Sequence, residues 1–375
     1  MRIFGWSIAV TVVVLAAAWW WGGPEVAAVV AILGVLEVSL SFDNAVVNAT
    51  VLKRMSHLWQ RLFLTVGIVI AVFGMRLLFP VLLVAITAQL SPVEALQLAI
   101  ENPAAYSQEL AEARPAIASF GGIFLLMIFL DFLLQDREHK WITWVERPLS
   151  RLGGMESLSV AISLAVLLGT AAYIAVPEDS QTVLIAGCAG LLTYLLVNGL
   201  AGFFELEADP TDEEVAGISG PGREAAGAVA ATGKAAFFLF MYLELLDASF
   251  SFDGVVGAFA ITSDIFVIAA GLGIGAFYVR SMTIFLVERG TLSRFVFLEH
   301  GAHYAIGALA ALLLISIAHE VPELVSGLIG VGFIAVALLS SVLRNRRLAA
   351  REEASPAVSV EGPETGTSGR REDPR

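Results

Sequence analysis

The sequence predicts an all-α, polytopic membrane protein of about ten transmembrane helices with an inverted-topology internal repeat, and three observations predict it. Of 375 residues, 57% are hydrophobic and 15% charged, where a soluble domain carries charge at about a quarter of its positions. The apolar residues fall in uninterrupted blocks of the length that crosses a bilayer, about 20 residues. One acidic motif also occurs twice, far apart, inside two of those blocks.

The blocks run 3–22, 25–52, 58–79, 117–135, 155–176, 182–203, 232–260, 265–287, 302–318 and 322–343. The first begins behind a thin positive start and ends in Trp19-Trp20-Trp21-Gly22-Gly23. That is an aromatic interface anchor and a poor cleavage site, so a retained N-terminal helix (1–24) is expected rather than a signal peptide. A first half of the membrane domain follows at 25–203. Within it, residues 80–115 carry Ser91-Pro92 and Asn102-Pro103 among acids, and read as a long external loop with one interfacial amphipathic helix. An acidic, Gly- and Pro-containing linker (204–231) precedes the second half (232–343). The polar tail, 344–375, has a composition that cannot bury a core and reads as disordered.

Lysine and arginine gather on alternate loops: Lys53, Arg54 and Arg61, then Arg137, Lys140, Arg147 and Arg151, then Arg289, Arg294, Arg344, Arg346 and Arg347. The positive-inside rule puts those loops and both termini in the cytoplasm of a plasma (inner) membrane. The single cysteine, Cys188, lies inside an apolar block and excludes a disulfide framework or a thiolate metal site within the chain. A net charge of −13 argues against nucleic acid as a partner. Membrane lipid, a divalent cation and protons are the expected partners, with a homo-oligomer or stress-protein partners left open.

The repeat carries the chemistry. Glu37-Val38-Ser39-Leu40-Ser41-Phe42-Asp43-Asn44 lines up with Asp247-Ala248-Ser249-Phe250-Ser251-Phe252-Asp253-Gly254, 210 residues on. The copies fall in the second and seventh spans, so their helices run in opposite directions, the arrangement that builds secondary transporters around a midplane site. An ionised carboxylate at the centre of a spanning helix costs at least ~2.5–3.5 kcal/mol. Glu37, Asp43, Asp247 and Asp253 must therefore face the protein interior, with cations, protons or each other as partners. Acids six residues apart are turned by about 120° on an ideal helix. They share no face unless the helix breaks or two helices cross at the motif, and Asn44 and Gly254, directly after the second acid, are where a local unwinding would be cheap. Antiparallel packing would set Glu37 level with Asp253 and Asp43 level with Asp247. With Ser39, Ser41, Ser249, Ser251 and Asn44 added, this is an all-oxygen cage, suited to hard ions such as Mn²⁺, Ca²⁺ or Mg²⁺ rather than Cu(I) or Zn²⁺.

The runs at 37–44 and 247–253 resemble the paired motifs of the TerC family, named for tellurium resistance, in the LysE transporter superfamily. The whole chain more closely resembles an uncharacterised sister family of bacterial TerC-like membrane proteins, over most of residues 25–343. The resemblance implies export of Mn²⁺ or a similar metal, with Glu37, Asp43, Asn44, Asp247 and Asp253 as the metal site. Gly254 stands where TerC members commonly have serine, so one ligand of the family pattern is missing.

Other residues have weaker claims. Asp131, near the end of the fourth span, reads as an entrance ligand or an interface acid. Glu244, one turn before Asp247, can extend the site. Arg76 and Arg280 occupy corresponding spans of the two halves and would neutralise the acids when the ion leaves. His300 and His303 suit a proton relay or an interfacial cap. Gly271, Gly273 and Gly275 permit close helix approach, and Glu94, Glu101, Glu109 and Glu112 form a solvated acidic face. No catalytic constellation or nucleotide-binding loop is present, so an enzyme and an ATP-driven pump are not expected, nor is a prosthetic group. The leading expectation is a secondary exporter of a divalent cation, Mn²⁺ first, in exchange for protons. An exporter of another small solute and a membrane scaffold or maturation factor for metal or tellurite stress are the alternatives.

Overall fold

A computed structural model of the protein describes residues 2–137, 139–152, 157–207, 233–262, 264–319 and 321–354. Most of the expected acidic linker and the chain beyond 354 lie outside the described residues. So do the side chains of Ser251 and Asp253. Among the described residues every regular element is a helix.

Seven helical stretches are long and apolar enough to cross a membrane: Ile3–Ser39, His57–Thr87, Arg114–Leu134, Ser180–Leu200, Ile265–Glu288, Leu298–Ile315 and Val325–Leu348. The chain is thus a multi-pass helical membrane protein. Three of the expected spans are not among the seven as separate members. The block at 155–176 forms Leu158–Ile174, apolar but shorter. The block at 232–260 is α11 (Gly233–Ile261), which carries Lys234, Glu244, Asp247 and Asp253. Those at 3–22 and 25–52 share α1 (Arg2–Leu40) and α2 (Phe42–Leu52).

The long α1 is two helices joined at Gly23, whose φ of 76° and ψ of −170° only glycine adopts readily. Pro24 follows, at the first helical position where its missing N–H is tolerated. The two arms pass α12 (Ile265–Glu288) in opposite directions. In the first arm Ser281 Oγ donates to the Ile3 carbonyl and Ser7 Oγ to the Phe277 carbonyl. In the second arm Gly34 lies against Gly271 and Ile274, and Glu37 against Gly275. Gly23 is therefore the tip of a helical hairpin. Its outer face, with Trp6, Trp19, Trp20 and Trp21, is exposed and apolar, as a lipid-facing surface should be.

The chain breaks again at Ser41 (φ −96°, ψ 19°) between α1 and α2. The expected unwinding is thus three residues early in the first motif. It is absent from the second, where α11 continues through Gly254. After α2, α3 (His57–Val69) passes into a π-helical stretch, Ile70–Leu78, and then α4 (Phe79–Thr87). Pro80 cannot donate to the carbonyl four residues back, that of Arg76, and the wider turn accommodates this. The stretch expected as a loop from 80 is thus helical to Thr87. It then folds as two short helices rather than one, α5 (Pro92–Glu101) and α6 (Pro103–Glu112). Each starts with proline behind a cap, Ser91 with a full capping box to Glu94 and Asn102 with one bond.

The centre of the bundle is α12 together with α7 (Arg114–Leu134), the two most enclosed spans. Around them stand α9 (Leu158–Gly169), α10 (Ser180–Glu207), α14 (Leu298–Ile315) and α15 (Glu323–Ala354), with the short α8 (Thr143–Leu152) and α13 (Thr291–Arg294) in the connections. The last runs into the stretch expected to be a disordered tail. Its Arg344–Arg347 segment continues the helix because Leu343, Leu348 and the alanines beyond keep a helix-forming composition.

Candidate functional site

The two acidic motifs meet in the middle of the bundle. Asn44 Nδ2 donates to Asp247 Oδ1 at 2.8 Å. A methyl group built on Gly254 would lie 3.0 Å from Glu37 Oε2. Position 37 is thus opposite 254 and 44 opposite 247, an antiparallel register. Glu37 and Asp43 have 4% of their surface exposed, Asp247 3% and Glu244 2%. Four carboxylates at that burial demand partners.

Two arginines supply some of them. Arg76, 2% exposed on the π-helical stretch, donates through Nη2 to Glu37 Oε1 and through Nη1 to the Ala71 carbonyl at 2.7 Å. Arg280, 1% exposed on α12, forks the Glu244 carboxylate with both contacts at 3.1 Å and reaches Asp247 Oδ2 at 3.5 Å. It also donates to the Gly67 carbonyl at 3.3 Å, and its guanidinium lies 3.8 Å from the centre of the Phe63 ring. In each half, then, the leading acid of the motif is held by an arginine on the next long helix.

Asp43 differs from the others. Its carboxylate accepts from the Asn44 backbone N–H at 3.0 Å, and among the described residues no ion pair reaches it. Glycines make room for these groups. A side chain at Gly330 of α15 would collide with the Asp43 carboxylate, and one at Gly275 with the Glu37 stem. One at Gly67 would sit 2.8 Å from Glu244 Oε1.

Among the described side chains the expected all-oxygen cage is not assembled, and Ser251 and Asp253 lie outside them. Among the described residues no three acidic, histidine or cysteine side chains converge as a metal-binding group. Ser39 is exposed and donates back to the Val35 carbonyl at 2.7 Å, and Ser249 donates to Leu245 at 2.9 Å. A serine inside a helix readily bonds the carbonyl four residues back, which takes it out of the site. Ser41 is half-buried at the helix break. Glu244 is in the site, through Arg280. Asp131 is not: it accepts from the Tyr194 hydroxyl at 2.5 Å and lines a separate cavity of about 530 Å³ with Arg54, Arg137, Asn198 and Tyr242.

His300 and His303 belong to a further network at the end of α14. His300 Nε2 contacts the His139 carbonyl at 2.9 Å and lies 3.6 Å from Glu146. Glu299 pairs with Lys53 at 3.3 Å and Arg137 at 2.9 Å. Sequence reasoning missed Asn48, which is fully buried one turn from Asn44, with both side-chain polar atoms unpartnered among the described residues. The available signal was two asparagines four apart in a helix of valine and alanine.

Fold and site together define a polytopic helical membrane protein with a buried, charge-paired polar centre. A family model described as a protein of unknown function, DUF475, matches residues 42–348, and the chain belongs to that family. No TerC family model matches, which overturns the resemblance drawn from the acidic runs. Those runs are short, and the DUF475 match begins at Phe42, after Glu37 and the serines that carried half of the first motif. No curated protein and no solved structure matches the chain.

Proposed function

We propose that this protein is a secondary transporter that exchanges a hard divalent cation for protons at the carboxylates of α1–α2 and α11. The observation that carries the proposal is a charge imbalance. Four described buried acids, Glu37, Asp43, Glu244 and Asp247, share two buried arginines, Arg76 and Arg280. Two negative charges are left over if every group is ionised, which one divalent cation or two protons would neutralise. Carboxylates suit such exchange, since each holds either species and proton binding weakens the metal site.

In this reading the arginine-paired arrangement is the cation-free state. Each guanidinium stands in for the ion, and it withdraws when the ion enters. Oxygen donors favour Mn²⁺ or Ca²⁺ over softer ions, so Mn²⁺ is the first cargo to test. We read α1–α2 with α3, and α11 with α12, as inverted copies, and count ten passes by separating the arms of α1 and adding Leu158–Ile174 and α11. Support comes from the antiparallel register and the arginine that follows each motif. The lysine and arginine distribution supports an inner membrane with both termini cytoplasmic, and exchange against protons entering the cell would drive the cation outward. Transport of an anionic solute would need free cationic groups at the core, and Arg76 and Arg280 are both engaged by acids.

The test is Mn²⁺ flux into proteoliposomes carrying a trapped metal-sensitive dye, with Asp43→Asn and Asp253→Asn beside the parent. Loss of flux in both variants, with folding retained, is expected. Flux that survives both substitutions removes the carboxylate site and leaves the ion pairs as packing.

A further inference from the structure

Asn48 lies on α2 one turn beyond Asn44, toward Lys53, and has no exposed surface. Among the described residues neither its Oδ1 nor its Nδ2 has a hydrogen-bond partner, and Asn44 Oδ1 is unsatisfied as well. Each such buried group has given up its hydrogen bonds to water without replacing them. Unsatisfied buried polar atoms mark stored strain, a functional role, or an ordered water or ion. The neighbours Val46, Val47 and Ala49 are buried and apolar, so packing alone would favour an aliphatic residue at 48. Asparagine is also a weak helix former.

Residues four apart share a helix face. The amides of Asn44 and Asn48 therefore lie along the face from which Asn44 reaches Asp247. The register that sets Glu37 opposite Gly254 and Asn44 opposite Asp247 brings Asn48 level with Leu243 and Glu244. The orphaned amide atoms thus continue the acid cluster, about 6 Å farther along α2, with the Asp43 carboxylate at one end.

We propose that Asn44 and Asn48 form a second binding station for the transported cation between Asp43 and the Lys53 end of α2. This rests on the cation-exchange reading. Neutral amide oxygens hold a hydrated divalent ion less tightly than carboxylates, and a weaker second station is what an ion needs in order to leave a charged site. Asn48 Oδ1 takes the ion or its water, and Nδ2 donates to Glu244 when Arg280 releases that carboxylate.

The test follows thermal unfolding of the purified full-length protein in detergent, titrated with MnCl₂ and separately with CaCl₂. Asn48→Leu keeps the branched shape and the number of heavy atoms but replaces both unsatisfied polar atoms by methyl groups. The metal-free protein should then unfold at the same or a higher temperature, while its Mn²⁺ affinity falls by about tenfold to a hundredfold. Asn48→Ser, which restores one neutral oxygen, should bind more tightly than Asn48→Ala; this pair decides the matter if the leucine variant does not fold. A leucine variant that unfolds earlier yet binds Mn²⁺ like the parent makes Asn48 a packing residue and overturns the station. If the parent gains stability from the ion, Asp43→Asn loses that gain and Asn48→Leu keeps it, the station fails alone. If neither ion stabilises the parent, the exchange reading fails and takes the station with it.

Discussion

Arg280→Met isolates the internal counter-ion of the second motif. The guanidinium makes two 3.1 Å contacts to Glu244, one of 3.5 Å to Asp247 and one of 3.3 Å to the Gly67 carbonyl, at 1% exposure. Methionine keeps an apolar stem against Phe63 but leaves both carboxylates without a cation. Removing one partner of a buried pair costs ~3–5 kcal/mol. The loss of the Phe63 contact, ~0.5–2 kcal/mol, overlaps with that figure rather than adding to it. Denaturant unfolding in detergent micelles should show a destabilisation of about 3–5 kcal/mol. Adding Glu244→Gln should recover ~1–3 kcal/mol through coupling of the two sites. A saturating divalent cation should also stabilise Arg280→Met more than the parent, because the ion no longer displaces a guanidinium. At a hundred times its dissociation constant a ligand contributes ~2.7 kcal/mol. Unfolding within ~0.5 kcal/mol of the parent, or no added gain from Mn²⁺, would refute the counter-ion role.

Gly275→Ala drives a methyl group into the Glu37 stem. It should cost ~1–3 kcal/mol and lower Mn²⁺ flux; parent-like unfolding and flux would show that Glu37 has room to move. Gly23→Ala places a side chain at φ 76°, ψ −170°. It should destabilise by ~1–3 kcal/mol and speed proteolysis at the hairpin tip, read from the fragment masses. At the N-terminus of α5, hydrogen bonds from the Ser91 backbone and side chain hold the Glu94 carboxyl below its ordinary 4.5. A depressed carboxyl favours the folded form above its unfolded value and loses that advantage as pH falls. Hydrogen exchange at the Ser91 amide, corrected for intrinsic rates, should therefore quicken as pH drops below 4.5; protection unchanged at pH 3 would show the capping box to be passive.

Helix positions were legible because a spanning helix must satisfy its own backbone and face lipid, which writes long apolar blocks into the sequence. The block at 265–287 folds as Ile265–Glu288, and that at 117–135 folds as Arg114–Leu134, three residues off at one end and one at the other. The antiparallel meeting of Glu37–Asn44 with Asp247–Gly254 was also readable, since the second and seventh spans, five positions apart, run in opposite directions. The partners of the acids were not. Which carboxylate an arginine takes depends on side-chain reach across helices: Arg280 spans Glu244 and Asp247, whereas Arg76 takes Glu37 alone among the described acids. Ser39 looked like a ligand by position, but in the fold its hydroxyl bonds its own helix. Gly275 looked like a spacer, yet it and Gly330 are the hollows in which Glu37 and Asp43 sit. A short acidic run says which residues are costly to bury, not which family carries them, and so the TerC likeness failed.

The central claim, exchange of a divalent cation for the protons of surplus carboxylates, is tested most directly by counting both species at once. Proteoliposomes with a trapped pH dye receive an Mn²⁺ gradient, first with the membrane potential clamped at zero and then with a potential imposed. Four described acids against two arginines predict protons moving opposite to Mn²⁺, two for each ion, at a rate insensitive to the potential. Mn²⁺ crossing no faster than in protein-free vesicles, or crossing without proton movement, would contradict it.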